Sequence, residues 1–228
     1  MTFNPPDPAL ISAAQELRFL LSRGYPREKC LTLVGDRHAL PARERELLRR
    51  SVLAPARSRS RRAKLLSPKK MKGHRIGLDA HNLLITLESA LAGKDLIRGD
   101  DGVIRDIARA ASGYRISDLT RKALDLILGL LRELRPAEAV FYLDRPISFS
   151  GRLALLIREE MAGGAALPGT ALAVPVPERE LKPFQGLVAS ADGELIDLCP
   201  WPTDLAGWII TTRLKETGIV DLETGDQA

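Results

Sequence analysis

Three short apolar runs in this 228-residue chain each end on an aspartate: Arg75-Ile-Gly-Leu-Asp79, Val140-Phe-Tyr-Leu-Asp144 and Leu187-Val-Ala-Ser-Ala-Asp192. A buried parallel strand reads as a continuous Val/Ile/Leu-rich run, and open α/β sheets bind ligands just beyond the carboxyl ends of their strands. Three carboxylates at three such ends converge in one crevice. Like charges held together call for a cation, and oxygen ligands suit Mg²⁺ or Mn²⁺. The pattern points to an enzyme.

Each acid also has a blander use. Asp79 precedes Ala80-His81-Asn82, so Asn82 can orient the carboxylate or contact substrate at a strand-to-helix transition; the competing role of Asp79 is a helix N-cap. Asp144 is followed by Arg145, Ser148 and Ser150. A guanidinium and two hydroxyls ahead of a helix suit a metal with a phosphate, because helix N-termini attract anions, and an ordinary capped loop is the alternative. Asp192-Gly193 is either a tight hairpin turn into a strand over Glu194–Leu198 or part of a metal-site loop. His38, His74 and His81 are scattered and form no zinc-type pair; His81 reads as a surface residue that could reach substrate. No phosphate-binding glycine motif and no nucleophile elbow is present, so neither a nucleotide cofactor nor a serine hydrolase is suggested. A haloacid-dehalogenase-like phosphatase needs a second Asp two residues after the first, where this chain has His81.

Alternating strand-like and helix-like segments must position these acids. Residues 1–53 predict three short helices: Pro8 to Ser22, a second after Pro26 that stops near Gly35, and a third from Ala42 to about Leu53, ended by Pro55. So small a helical unit is marginal alone and is expected to dock on the larger domain or on a second copy of the chain. Residues 54–73 are rich in Arg, Ser and Lys and read as a basic linker or arm. Residues 74–228 predict an α/β domain with a mostly parallel sheet between helical layers. Its expected elements include a helix over 83–91, another over 103–111 and a long one capped by Ser117. A helix after Ser148 or Ser150, an edge strand at 171–176 (Pro175), a strand over 187–191 and a final helix from Thr203-Asp204 to Lys215 follow.

The net charge of +5 is unevenly spread: +1 over residues 1–42, +11 over 43–75 and −7 over 76–228. A basic strap beside an acidic body can hold a polyanion; the alternative is a solvated linker. At 45% hydrophobic but only 4% aromatic, the core must be filled by Leu, Ala, Ile and Val. No run is long and apolar enough to span a membrane, and no secretory signal is apparent at the N-terminus. Cys30 and Cys199 lack metal-ligand spacing and read as reduced thiols, so a cytoplasmic location is expected.

The segments Ile76-Gly-Leu-Asp79-Ala-His-Asn82, Tyr142-Leu-Asp144 and Val188-Ala-Ser190-Ala-Asp192-Gly resemble the strand-end motifs of PIN-like ribonuclease domains, especially the NYN branch, over roughly residues 75–210. The whole chain more closely resembles an uncharacterised prokaryotic family that joins a short helical domain carrying an Arg23-Gly24-Tyr25 segment to a PIN-like domain. The resemblance implies a three-layer α/β/α fold and a divalent metal held by Asp79, Asp144 and Asp192, with Asn82 and Ser190 in support. It also implies a fourth acid, for which Asp106 is chosen ahead of Glu88 and Asp101. NYN members often place a further acid two residues after the last Asp, which here is Glu194. The expected reaction is RNA phosphodiester hydrolysis, with phosphates gripped by Arg49, Arg50, Arg57, Arg59, Arg61, Arg62, Lys64, Lys69 and Lys70. The competing expectations are a non-catalytic RNA-binding or interaction module, and a scaffold that forms a homo-oligomer through its N-terminal helices.

Overall fold

In the computed structural model, which describes residues 7–107, 114–163, 165–214 and 218–222, the chain opens with four helices. These are α1 (Pro8–Ser22), α2 (Arg27–Arg37), α3 (Ala42–Ser51) and α4 (Pro55–Lys64). Asp7 caps α1 by accepting a bond from the Ala9 amide, as an N-cap aspartate does. Helix α2 runs through Gly35 instead of stopping there. The missing side chain is what lets the Arg45 guanidinium lie across α2, since a Cβ at Gly35 would stand 2.4 Å from Arg45 Nη1.

The expected linker is largely helical. Pro55 is the first residue of α4, and Pro68 opens a short 3-10 turn at Pro68–Met71. Local composition suggested an arm because the partners of its charges lie far away in sequence. Arg61, 5% exposed, donates to Asp101 at 2.9 Å and to Asp197 at 2.7 Å, and those acids are 40 and 136 residues distant.

The remaining chain comprises β1 (Arg75–Asp79), α5 (Ala80–Leu91), β2 (Leu96–Arg98), β3 (Ile104–Asp106), α6 (Asp118–Leu134) and β4 (Glu138–Asp144). Then come α7 (Ser150–Ala162), β5 (Gly169–Val174), α8 (Pro177–Leu181), β6 (Leu187–Ala189), α9 (Gly193–Leu198), β7 (Pro202–Thr203), α10 (Leu205–Arg213) and β8 (Ile219–Asp221). The five-stranded sheet has the order β5-β4-β1-β6-β7 and every pairing in it is parallel. Period-two alternation sorts its residues cleanly. Ile76, Leu78, Phe141, Leu143, Leu187 and Ala189 face the main core with α5, α6, α7 and α10, while Val140, Val188 and Tyr142 face Leu181, Phe184 and Leu195 of the α8–α9 layer. Gly77 lies on that second face, where a Cβ would meet Leu181 at 2.9 Å, so glycine admits this layer onto the sheet.

Four sequence expectations change. The helix expected over 103–111 begins instead as β3, and residues 108–113 lie outside the described residues. β2 pairs antiparallel with β3 and parallel with β8, a second sheet that three-residue strands do not announce in sequence. The hairpin reading of Asp192-Gly193 gives way to helix α9, capped by Asp192. Neither Ser148 nor Ser150 caps α7: Phe149 stands at the cap with φ +65°, and the Ser150 hydroxyl donates to the Arg145 carbonyl at 3.2 Å. The Ser117 cap, the edge position of β5 beside Pro175 and the Asp204 cap of α10 agree with the sequence reading.

The N-terminal helices close over the small sheet, so Leu17, Leu48 and Val52 share one cluster with Ile97, Val220 and Leu222. Charge stitches the same seam. Asp101 has no exposed surface and accepts two 2.8 Å bonds from Arg105 together with the one from Arg61. Burial raises its carboxyl, but the bonds from Arg105 and Arg61 more than reverse this and hold it below the usual range. Asp101→Asn should therefore lower stability in urea denaturation by about 3 to 5 kcal/mol, since it leaves buried guanidinium charge without its counter-charge. A loss below about 1 kcal/mol would mean that the cluster behaves like a surface bridge.

Candidate functional site

The chain runs from β1 to β4 and β5 on one side, then returns to β6 on the other. The sheet's switch point therefore lies at β4-β1-β6, where open α/β sheets form a crevice. Asp79 ends β1 opposite Tyr142, so Asp144 lies two residues further along the neighbouring strand and on the same face. Ser190 follows β6 on the other flank of β1 and donates to Asp79 Oδ2 at 2.8 Å. Asp79 stands at the N-cap of α5; no cap hydrogen bond forms, although the Asn82 amide lies close enough to favour its charged form. Burial pushes its carboxyl up to about 7; the Ser190 hydroxyl opposes this, and the nearby charge of Asp144 adds to it.

Asn82 positions the loop beyond β6, its Oδ1 accepting from the Ala191 amide at 2.8 Å. His81, read from sequence as a surface residue, is only 2% exposed. His81 Nδ1 lies 3.0 Å from the Asp144 backbone amide and 3.2 Å from Asp144 Oδ2, so the ring is held against this acid through both its backbone and its side chain. Nε2 is buried without a partner among the described residues, and Tyr114 packs against the ring edge-on. The signal available in sequence was the register of α5, in which His81 falls one turn before the buried Leu84.

The other two acids are drawn elsewhere. Asp192 lies three residues past the end of β6, and its Oδ1 accepts from the Glu194 and Leu195 amides. Asp106 sits on β3, 3.5 Å from Arg50, with Oδ2 buried and without a partner among the described residues; burial raises its carboxyl and the Arg50 charge opposes this. Glu194 is exposed and bonds Lys182. Among the described residues no three His, Cys, Asp or Glu side chains gather closely enough to hold a metal ion. What remains at the switch point is two neighbouring carboxylates, a hydroxyl and an amide, with the His81 ring against Asp144. Arg145 is exposed with its guanidinium on the Ala173 carbonyl, and Ser148 lines a separate cavity of about 710 Å³.

Much of the basic segment is engaged internally. Arg49 pairs with Glu28, Arg50 with Glu46, and Arg57 and Arg61 with Asp197, while Arg62 and Lys64 donate to the carbonyls of Asp100 and Asp197. Hydrogen bonds from Arg61, with those of Arg57 in support, hold the Asp197 carboxyl down at about 2. Arg59, Lys69 and Lys70 are exposed. Arg27 and Arg105, which also face this region, carried no distinguishing sequence signal.

A parallel α/β sheet with paired acids at its switch point, joined to an N-terminal helical region, is the class of protein this architecture defines. The chain belongs to the family described as a domain of unknown function (DUF5616), which it matches over residues 68–208. Residues 9–64 match a second description, a protein of unknown function (DUF434). An uncharacterized protein of Methanocaldococcus jannaschii, MJ0935, is 31% identical over 184 residues, covering 81% of this chain and 87% of that protein. No solved structure matches the chain. Among the described residues no helix is long and apolar enough to cross a membrane.

The raised Asp79 carboxyl sets a pH dependence. Between about pH 4 and pH 7 the folded chain keeps a proton that the unfolded chain has released, so stability falls as pH rises through this window. Above it, the charged carboxylate costs the fold on the order of 4 kcal/mol. Asp79→Asn in metal-free buffer should match wild type near pH 4.5 and exceed it by a few kcal/mol at pH 8. Urea denaturation across that range checks this, and a difference that does not change with pH would contradict it.

Proposed function

We propose that the protein is a divalent-metal-dependent phosphodiesterase acting on RNA, with a PIN-like domain of the NYN type. The observation that carries this reading is the buried Asp79 carboxyl beside Asp144 at the switch point, raised by its burial and further by the Asp144 charge. A hard divalent cation fits that donor set, since Mg²⁺ commonly binds through one or two carboxylates and keeps its remaining waters. Asp79 and Asp144 would hold it, Ser190 would keep Asp79 aimed, and Asn82 would fix the backbone at Ala191. Such an ion, when bound, lowers the pKa of water and offsets charge on the phosphoryl group. The exposed Arg59, Lys69 and Lys70 would contribute the salt-sensitive part of RNA binding.

One observation favours a second reading, a non-catalytic RNA-binding module: Asp192 caps α9 and Asp106 faces Arg50, which leaves two ligands in place of four. Incubation of the purified chain with mixed RNAs and Mn²⁺ separates the two. The enzyme reading expects cleavage that chelation stops and that falls about 100-fold or more in an Asp79→Asn/Asp144→Asn double variant. Equal background cleavage by both proteins, with salt-sensitive RNA binding intact and no calorimetric heat from Mn²⁺, establishes the module instead.

A further inference from the structure

Beside the carboxyl edge of the sheet, a cavity of about 300 Å³ lies between the N-terminal helices and the α/β domain. Six guanidinium groups line it: Arg27, Arg49, Arg50, Arg57, Arg61 and Arg105. Two carboxylates share the lining, Asp106 and Asp192, and Asp192 is occupied with the α9 cap. The wall is strongly cationic.

The six arginines are not equivalent. Arg61 and Arg105 are buried and committed to Asp101, Arg61 also to Asp197, and they reach the Gly193 and Ala191 carbonyls at 2.7 and 2.9 Å. They are framework. Arg49 and Arg57 make partly exposed pairs with Glu28 and Asp197, the kind that exchange at little cost. Arg27 pairs with no carboxylate among the described residues and donates only to the Arg49 carbonyl. Burial lowers the pKa of this guanidinium, and the charges of Arg57, Arg49 and Arg61 lower it further, against Glu28 alone. A half-buried cation held among cations is relieved by an anion, and planar guanidinium forks fit phosphate oxygens bidentately.

We infer that this cavity is a phosphate site whose ligand is a phosphate monoester on a nucleotide unit, either the terminal phosphate of an RNA strand or a free mononucleotide. A monoester carries close to two charges at neutral pH, which suits a multi-arginine wall better than the single charge of an internal diester. At about 300 Å³ the cavity is at the lower end of small-ligand sites, with room for more than a bare phosphate. Asn82 and Asp192 line the cavity, and the Asp192 amide donates to the Ser190 hydroxyl that bonds Asp79, so a phosphate held here sits beside the candidate carboxylates. The assignment rests on the arginine geometry and not on catalysis; a chain that cleaves nothing still binds the phosphate.

Calorimetry on the full chain in chelator, at fixed ionic strength, tests it with one RNA oligomer carrying a 5′-phosphate, a 3′-phosphate or neither, and with adenosine monophosphate and inorganic phosphate. A phosphorylated oligomer should bind about tenfold tighter than the unphosphorylated one. A mononucleotide that binds as tightly as the phosphorylated oligomer identifies the free nucleotide as the source. Arg27→Gln should abolish the preference while Arg23→Gln, on the exposed end of α1, keeps it. Arg27→Lys keeps the charge without the fork, so it should fold and still lose most of the preference. Inorganic phosphate should also raise the wild-type melting temperature above that in chloride of equal ionic strength. Equal binding of all three oligomers with no phosphate effect on melting overturns the assignment, as does a folded Arg27→Gln chain that keeps the full preference.

Discussion

Asp101 lies in the turn between β2 and β3 with no exposed surface, and two guanidinium groups from different parts of the chain close on it. Arg61 arrives from α4, and Arg105 from β3. Each also reaches the backbone beside Asp192, Arg61 through the Gly193 carbonyl and Arg105 through the Ala191 carbonyl. The backbone on both sides of Asp192 is thereby held by the same cluster that joins the helical region to the sheet. Ser190 begins that loop and aims Asp79. The geometry at the switch point therefore depends on an ion cluster built largely from outside it.

The magnitudes support giving that cluster this weight. Exposed pairs such as Arg49–Glu28 and Lys182–Glu194 contribute little, because solvent screens them, and leave orientation free. A buried cluster gains little over well-packed apolar groups, yet losing one member strands charge in a low-dielectric interior. Its physical effect is to fix one arrangement of the N-terminal helices on the small sheet, where apolar contact through Leu17, Leu48 and Ile97 is less directional.

The concentration of arginine between residues 43 and 75 takes a different meaning in three dimensions. Read as a string, it is a solvated strap for a polyanion. Folded, its buried member Arg61 neutralises Asp101 and Asp197, its partly exposed members form a wall, and Arg27 from the preceding helix joins that wall with no paired carboxylate among the described residues. The acid pair and the arginine wall then lie on adjoining parts of one edge of the sheet.

The strands β1, β4 and β6, the strand-end positions of Asp79 and Asp144, and the helix caps at Ser117 and Asp204 were legible in the sequence because each depends on neighbours within a few residues: alternation along a strand, a hydroxyl or carboxylate beside a free helix amide. The placing of Asp79, Asp144 and Ser190 on one face followed from the same local period once the strands were known. The fates of Asp192 and Asp106, the burial of His81 and the helical state of residues 55–64 were not legible. Each is settled by a partner that local pattern does not single out: an α9 amide, Arg50, the Asp144 amide, or Asp101 and Asp197. Sequence alone thus determined which residues are capable of chemistry. Only the tertiary structure decided which carboxylates are drawn into caps and ion pairs, because a buried charge is claimed by whichever countercharge or amide the fold brings within hydrogen-bonding distance.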